Sequence, residues 1–136
     1  MAGNDNLGAV CWTDLTVADA EQVAHFYRQV AGWKSTPCDM GTYRDFCMTA
    51  PGTGQTVAGI CHARGVNADL PPVWLIYIVV PDVDLSAAAC TQLGGEVLAG
   101  PRELAGQGRF CVIRDPAGAV AALISPTRGE RGVSTP

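Results

Sequence analysis

The sequence predicts an α+β fold made of two copies of one strand–helix–strand–strand–strand module. Three observations carry this. Apolar and polar residues alternate over 9–17 and then change to helical spacing after Asp19. The same order restarts at residue 74. The halves also share residues in register: Val17 and Asp19 match Val80 and Asp82, and Gly32 matches Gly95, at an offset of 63, while Phe46-Cys47 matches Phe110-Cys111, and Gly54 matches Gly118, at 64. One inserted loop residue reconciles the two offsets.

Residues 9–17 read as the first strand, with Cys11, Thr13, Leu15 and Val17 on one face and Val10, Trp12, Asp14 and Thr16 on the other. Asp19 caps a helix, with Gln22 three residues on as in a capping box. Its core stripe reads Val23, Phe26, Tyr27 and Val30, and Gly32 suits the left-handed position that ends it. Strands follow at 33–36, 43–49 and 56–61, punctuated by Pro37, Gly41, Pro51, Gly52 and Gly54. The second module has a strand at 74–80 and a helix capped by Asp82 or Asp84. That helix carries a stripe of Val83, Ala87, Cys90 and Leu93 and ends at Gly94 or Gly95. Strands at 96–99, 109–114 and 119–124 complete it, with Asp115 making the turn before the last. The expected organisation is a single domain: module one over about 8–64, a linker over about 65–72, module two over about 73–126 and a flexible tail over 127–136.

Composition narrows the function. The 136 residues carry a net charge of −4 and only 16% charged residues, with no Lys/Arg cluster, so a nucleic-acid binder is not expected. The longest apolar stretch, Val73 to Val80, falls far short of the roughly 18 residues of a membrane span. The first residues lack the basic and apolar regions of a secretory signal, so a cytoplasmic location is the expectation. None of the six cysteines forms a C-x-x-C pair, and neither histidine stands at zinc-site spacing from one. The cysteines therefore read as small free hydrophobes rather than as a disulfide framework. His25 points away from its helix stripe into solvent.

In its order of motifs the chain resembles the vicinal oxygen chelate superfamily, which includes glyoxalase I, bleomycin resistance proteins and extradiol dioxygenases. The resemblance covers roughly residues 8–126. The residues that carry it are Cys11–Asp19, Phe26-Tyr27, Gly32-Trp33, Tyr77–Asp84, Gly94-Gly95, Gly108–Phe110 and Asp115–Gly118. It implies that the two βαβββ modules form a cup-shaped mixed sheet with the helices on the outside, and that the chain pairs as a homodimer. Metal-dependent members hold ligands on the first and last strand of each module. Counting seven back from the capping aspartates and four on from the turn glycines places those positions at Trp12, Ala58, Leu75 and Ala122. None offers a metal donor, so no metal and no cofactor are expected.

Strand alternation fills the cup instead with Trp12, Asp14, Ala58, Ile60, His62, Leu75, Tyr77 and Ala122, with Tyr43, Phe46 and Phe110 on a face that alternation leaves open. Arg109 is a further candidate polar tip. Trp12 has two readings, a stacking surface for a planar ligand or a plug where a metal is lacking. An apolar pocket with a few polar tips suits a small molecule. The expected function is metal-independent binding and sequestration of a hydrophobic, aromatic molecule, of the antibiotic self-resistance or drug-binding type. The alternative is a metal-independent cyclase, isomerase, epimerase or hydrolase with His62 or Asp14 as acid or base. Binding without catalysis is the favoured reading, and neither a nucleic acid nor a membrane is an expected partner.

Overall fold

The computed structural model describes residues 6–104, 106 and 108–126, so the tail expected over 127–136 lies outside them. Among the described residues the order is β1 (Val10–Val17), α1 (Ala20–Val30), β2 (Lys34–Asp39), β3 (Arg44–Thr49), β4 (Thr56–His62), β5 (Trp74–Val79), α2 (Val83–Gln92), β6 (Glu96–Leu104), β7 (Gly108–Arg114) and β8 (Val120–Ser125). This is the expected order of elements. Two strands run longer than expected: β2 continues through Pro37 to Asp39, and β6 reaches Leu104. The caps are as read. Asp19 accepts from the Gln22 N–H at 3.1 Å and Asp82 from the Leu85 N–H at 3.2 Å. Asp115 accepts from the Ala117 and Ala119 amides, which fixes the turn before β8.

The chain divides into two compact units, Trp12–Trp74 and the remainder from Leu75 onward together with the residues up to Cys11. The start of β1 thus belongs with the second module: Gly8 N–H donates to Val79 O, and Val79 N–H to Ala9 O. In the Trp12–Trp74 unit the strand order is β2-β3-β4-β1, with β1 and β4 parallel and the other neighbours antiparallel. In the second unit it is β5-β8-β7-β6, with β5 and β8 parallel and the rest antiparallel. Each is a mixed sheet with one helix packed on it, which is the α+β class the sequence predicts.

The first core joins Ala20 and Ala24 of α1 to Phe46, Met48, Ala58 and Ile60. Tyr27, Trp33 and Trp74 close its edge in edge-on and tilted ring contacts, and the Trp74 indole N–H donates to the Tyr27 hydroxyl at 3.2 Å. Burying side chains such as Met48 and Ile60 contributes roughly 1.5–3 kcal/mol each. The α1 stripe differs from the expected one. Its buried residues are Ala20 and Ala24, while Phe26 and Val30 are exposed, because the small alanines let the helix lie close to the sheet and turn those two outward. His25 is exposed, as expected, with Arg28 Nη2 3.4 Å from its Nδ1. The second core joins Val83 and Ala87 of α2 to Cys111 and Leu123, with Ile78, Val80, Val97 and Ile113 packed around them. Leu93 follows the last helical residue and is exposed, so it drops out of the α2 stripe.

The cores also correct the register of the repeat. Val17, Ala20, Ala24, Met48 and Ile60 in the first correspond to Val80, Val83, Ala87, Cys111 and Leu123 in the second, all at an offset of 63. The match of Phe46-Cys47 to Phe110-Cys111 at 64 is therefore one residue out. Further along, β4 carries a bulge: Met48 pairs with Ala58 but Thr49 with Thr56, so Val57 is an extra residue, and the match of Gly54 to Gly118 at 64 does not hold beyond it. Such an insertion moves the following side chains to the other face. The residue equivalent to Ala122 is Gly59; Ala58 and Ile60 lie beneath α1 instead of on the opposite face, and Phe46, whose face alternation left open, lies there with them.

Candidate functional site

In the Trp12–Trp74 unit, the sheet face opposite α1 carries Trp12, Asp14, Cys47, Gly59 and Cys61. Asp14 pairs in register with Gly59, and Gly59 lies opposite Cys47. A Cβ on Gly59 would stand 3.3 Å from both the Trp12 ring and the Asp14 Cβ. The indole thus rests against a glycine because a side chain there would push it away. Burial pushes the Cys61 thiol far up, and the Asp14 and Asp45 carboxylates add to the shift, Asp45 also accepting its hydrogen bond. Burial, with smaller contributions from Cys38 and Asp45, also raises Cys47. These thiols stay protonated at neutral pH and are poor nucleophiles. All six cysteines are free.

Asp45 links this face to a second feature. Its Oδ1 accepts the His62 backbone N–H at 2.9 Å and lies 3.5 Å from His62 Nδ1. The His62 ring meets Tyr43 edge-on at 5.6 Å, and the Arg64 guanidinium lies 4.1 Å above the Tyr43 ring. Tyr43 and His62 line a cavity of about 500 Å³ with Glu21, Pro37, Asp39, Gly41, Thr42 and Arg44. Of the residues expected at the site, Trp12 and Asp14 thus share the open face, and Tyr43 and His62 share this cavity. Phe46, Ala58 and Ile60 belong to the helix-side core.

In the second unit the face opposite α2 is apolar. Tyr77 pairs with Ala122, Val112 with Ala122 and Phe110 with Ile124, while Cys111 and Leu123 point to α2. Leu75, Tyr77, Phe110, Val112 and Ala122 are all buried. Arg109 does not join them. Asp84 of α2 takes its Nε at 2.7 Å and its Nη2 at 3.0 Å, and Glu103 lies 3.6 Å from its Nη1, so it is tied to the helix side. The charged residue on the apolar face is Arg102, which the sequence reading missed. It stands opposite Phe110, with its guanidinium carbon 5.0 Å above that ring. Asp45 was missed as well. The alternation of β3 against β4 would have placed it beside Cys61, and the Gly100-Pro101 break in β6 was the one signal for Arg102.

The positions where metal-dependent members of the resembled family hold ligands are, on these faces, Trp12, Gly59, Leu75 and Ala122. Indole, hydrogen and alkyl groups do not fit a metal ion. Among the described residues, no group of three or more His, Cys, Asp or Glu stands together to hold one elsewhere. No helix among them is long and apolar enough to cross a membrane.

The family model of the Glyoxalase/Bleomycin resistance protein/Dioxygenase superfamily matches residues 9–123. The chain is 27% identical over 119 residues to the putative glyoxylase CFP32 of Mycobacterium tuberculosis, covering 88% of this chain and 44% of that protein. It is 30% identical over 131 residues to the anthracycline biosynthesis protein DnrV of Streptomyces peucetius, covering 85% and 46%. The chain spans less than half the length of these relatives. Among solved structures, a methylmalonyl-CoA epimerase in complex with methylmalonyl-CoA shares the fold at a TM-score of 0.54 and 17% identity, covering 90% of this chain and 96% of that one. The epimerase of Mycobacterium tuberculosis matches at 0.52 and 18% identity, covering 96% of each.

Proposed function

As this chain belongs to the glyoxalase/bleomycin resistance protein/dioxygenase superfamily, we propose that it binds a hydrophobic, aromatic small molecule without a metal and releases it unchanged. The observation that carries this reading is the content of the four family ligand positions: Trp12 on Gly59 in one unit, Leu75 and Ala122 in the other. An indole held against a glycine offers a broad flat surface, and aromatic side chains stack on planar ligands. Similarity to an anthracycline biosynthesis protein supports a planar, polycyclic ligand. Sequestration as part of antibiotic self-resistance, and pairing into a homodimer, belong to the same proposal.

The test is a panel of planar aromatics titrated against tryptophan fluorescence, with the ligand recovered and analysed afterwards. The expected result is saturable quenching, an unchanged ligand, and a loss of affinity of about tenfold or more in Trp12→Ala and in Tyr77→Ala. Unaltered binding in both variants would sink the proposal, as would retention of a stoichiometric metal in the purified protein.

One observation favours an enzyme as the second reading. The Asp45 carboxylate sits beside His62 Nδ1 and holds its backbone N–H, and His62 lines the 500 Å³ cavity. Nδ1 has no hydrogen-bond partner among the described residues, and in this reading substrate binding would bring it onto that carboxylate, orienting the ring with Nε2 left to take or give a proton. Conversion of a panel ligand that is lost in His62→Asn, with binding intact, would establish this reading over the first. In that reading Asp14, flanked by Gly59 and Cys61, is the other acid–base candidate.

A further inference from the structure

We infer that Arg102 anchors an anionic oxygen, a carboxylate or phenolate, on the aromatic molecule that this chain binds; the inference rests on the binding reading above and names its ligand class. Arg102 lies on the apolar face of the second unit, opposite Phe110 in the β6–β7 register. Its aliphatic stem is half-buried and its guanidinium lies over the Phe110 ring. Its Nε is buried and has no hydrogen-bond partner among the described residues. Among the described residues Arg102 makes no ion pair: its neighbour Glu103 turns the other way to Arg109, whose charge Asp84 already meets.

A buried donor of a cation without an acceptor is unfavourable by more than an ordinary lost hydrogen bond. The backbone is shaped to put it there. Ala99 pairs with Val112 and Arg102 with Phe110, so β6 spends one extra residue over this interval. Gly100 absorbs the irregularity at φ +80°, where a Cβ would stand 2.7 Å from Phe110 O and 3.1 Å from Cys111 Cα. Without the extra residue Arg102 would lie on the α2 side with the other charges. A planar guanidinium presents forked donors that suit a carboxylate, and its face already stacks on an aromatic ring. An acidic group on the ligand would set its oxygen on the Arg102 guanidinium, beside the ring of Phe110. The chain's net charge of −4 does not attract such an anion at long range, so selection rests on this local contact.

The test is titration calorimetry of the whole chain with anthraquinone-2-carboxylate and with its methyl ester. Wild type is expected to bind the acid about tenfold more tightly than the ester. Arg102→Gln is expected to remove that preference while holding ester affinity within about twofold and without lowering the melting temperature; Arg102→Lys should retain part of it. An equal loss of acid and ester binding in Arg102→Gln would mark a structural arginine and overturn the inference. So would ester and acid binding equally well to wild type, which needs no variant and leaves the aromatic-binding reading standing. Binding of neither probe to wild type would bring down that reading and this inference together.

Discussion

The two units share one packing scheme and differ in what lies on the sheet face away from the helix. Five core positions correspond at a constant offset of 63, and each helix lies on its sheet through a small or β-branched residue at the same place, Ala20 in one and Val83 in the other. On the opposite faces the likeness ends. The Trp12–Trp74 unit shows an indole, the carboxylates of Asp14 and Asp45 and the thiols of Cys47 and Cys61. The second unit shows Leu75, Tyr77, Phe110, Val112 and Ala122 with a single guanidinium. A duplicated fold thus keeps what the helix touches and leaves the other face open to change, since packing beneath a helix tolerates little.

The sharpest way to break the comparison is to test the face assignment of β4. Ala58→Glu puts a carboxylate beneath α1 with no partner, and a loss above about 4 kcal/mol, amounting to loss of folding, is expected in urea denaturation. Gly59→Ala, one residue on, should cost only about 1–2 kcal/mol while shifting tryptophan emission, because its Cβ meets the Trp12 ring at 3.3 Å. A stable Ala58→Glu protein would return Ala58 to the face the sequence count gave it. Next in size is Gly100→Ala. Its Cβ strikes the β7 backbone at a left-handed φ, and a loss of about 3 kcal/mol is expected. Gly54→Ala also has φ +76° but meets nothing within 4 Å, and should lose about 1 kcal/mol. Similar values for the two would mean that the bulge in β6 is not fixed by close approach.

The smallest effect compares thiols. Burial pushes Cys111 from its ordinary 9.0 up to about 11, with Cys90 and Asp84 as lesser causes. The unfolded chain therefore releases this proton first, and stability is full below pH 9 and falls as pH rises from about 9 to about 11. Cys111→Ala should flatten that decline in melts across the range. Iodoacetamide at pH near 8 should label the exposed Cys11 and Cys38 while sparing Cys111 and Cys61 until the protein unfolds. Rapid labelling of Cys61 in the folded protein would contradict the geometry around Asp45.

Much of this was readable in advance because it is local. Asp19 and Asp82 cap helices by reaching three residues along the chain, and Asp115 shapes a turn within four. In the second module, where β8 pairs with β5 and β7 without a bulge, alternation placed Leu75, Tyr77 and Ala122 together. The first module failed at a single extra residue, Val57, since a period of two turns one insertion into a change of face for Ala58 and Ile60. Phe46 and Phe110 looked equivalent because each precedes a cysteine, but at the offset of the cores Phe110 corresponds to Cys47, so the two rings lie on opposite sides of their sheets. Arg109 and Arg102 could not be told apart from sequence either. The partner that takes Arg109 out of the site is Asp84, 25 residues away, and the bulge that brings Arg102 in is a property of two paired strands.

The sequence by itself determined the elements, their duplication and their caps, because each depends on neighbours along the chain or on residue type alone. Only the tertiary structure decided which face each residue of β4 takes, that Trp12 rests on Gly59, that Asp45 holds the His62 backbone and Cys61, and which arginine is left without an acceptor among the described residues. Those outcomes come from strand register and long-range pairing, where one residue more or less reverses the answer.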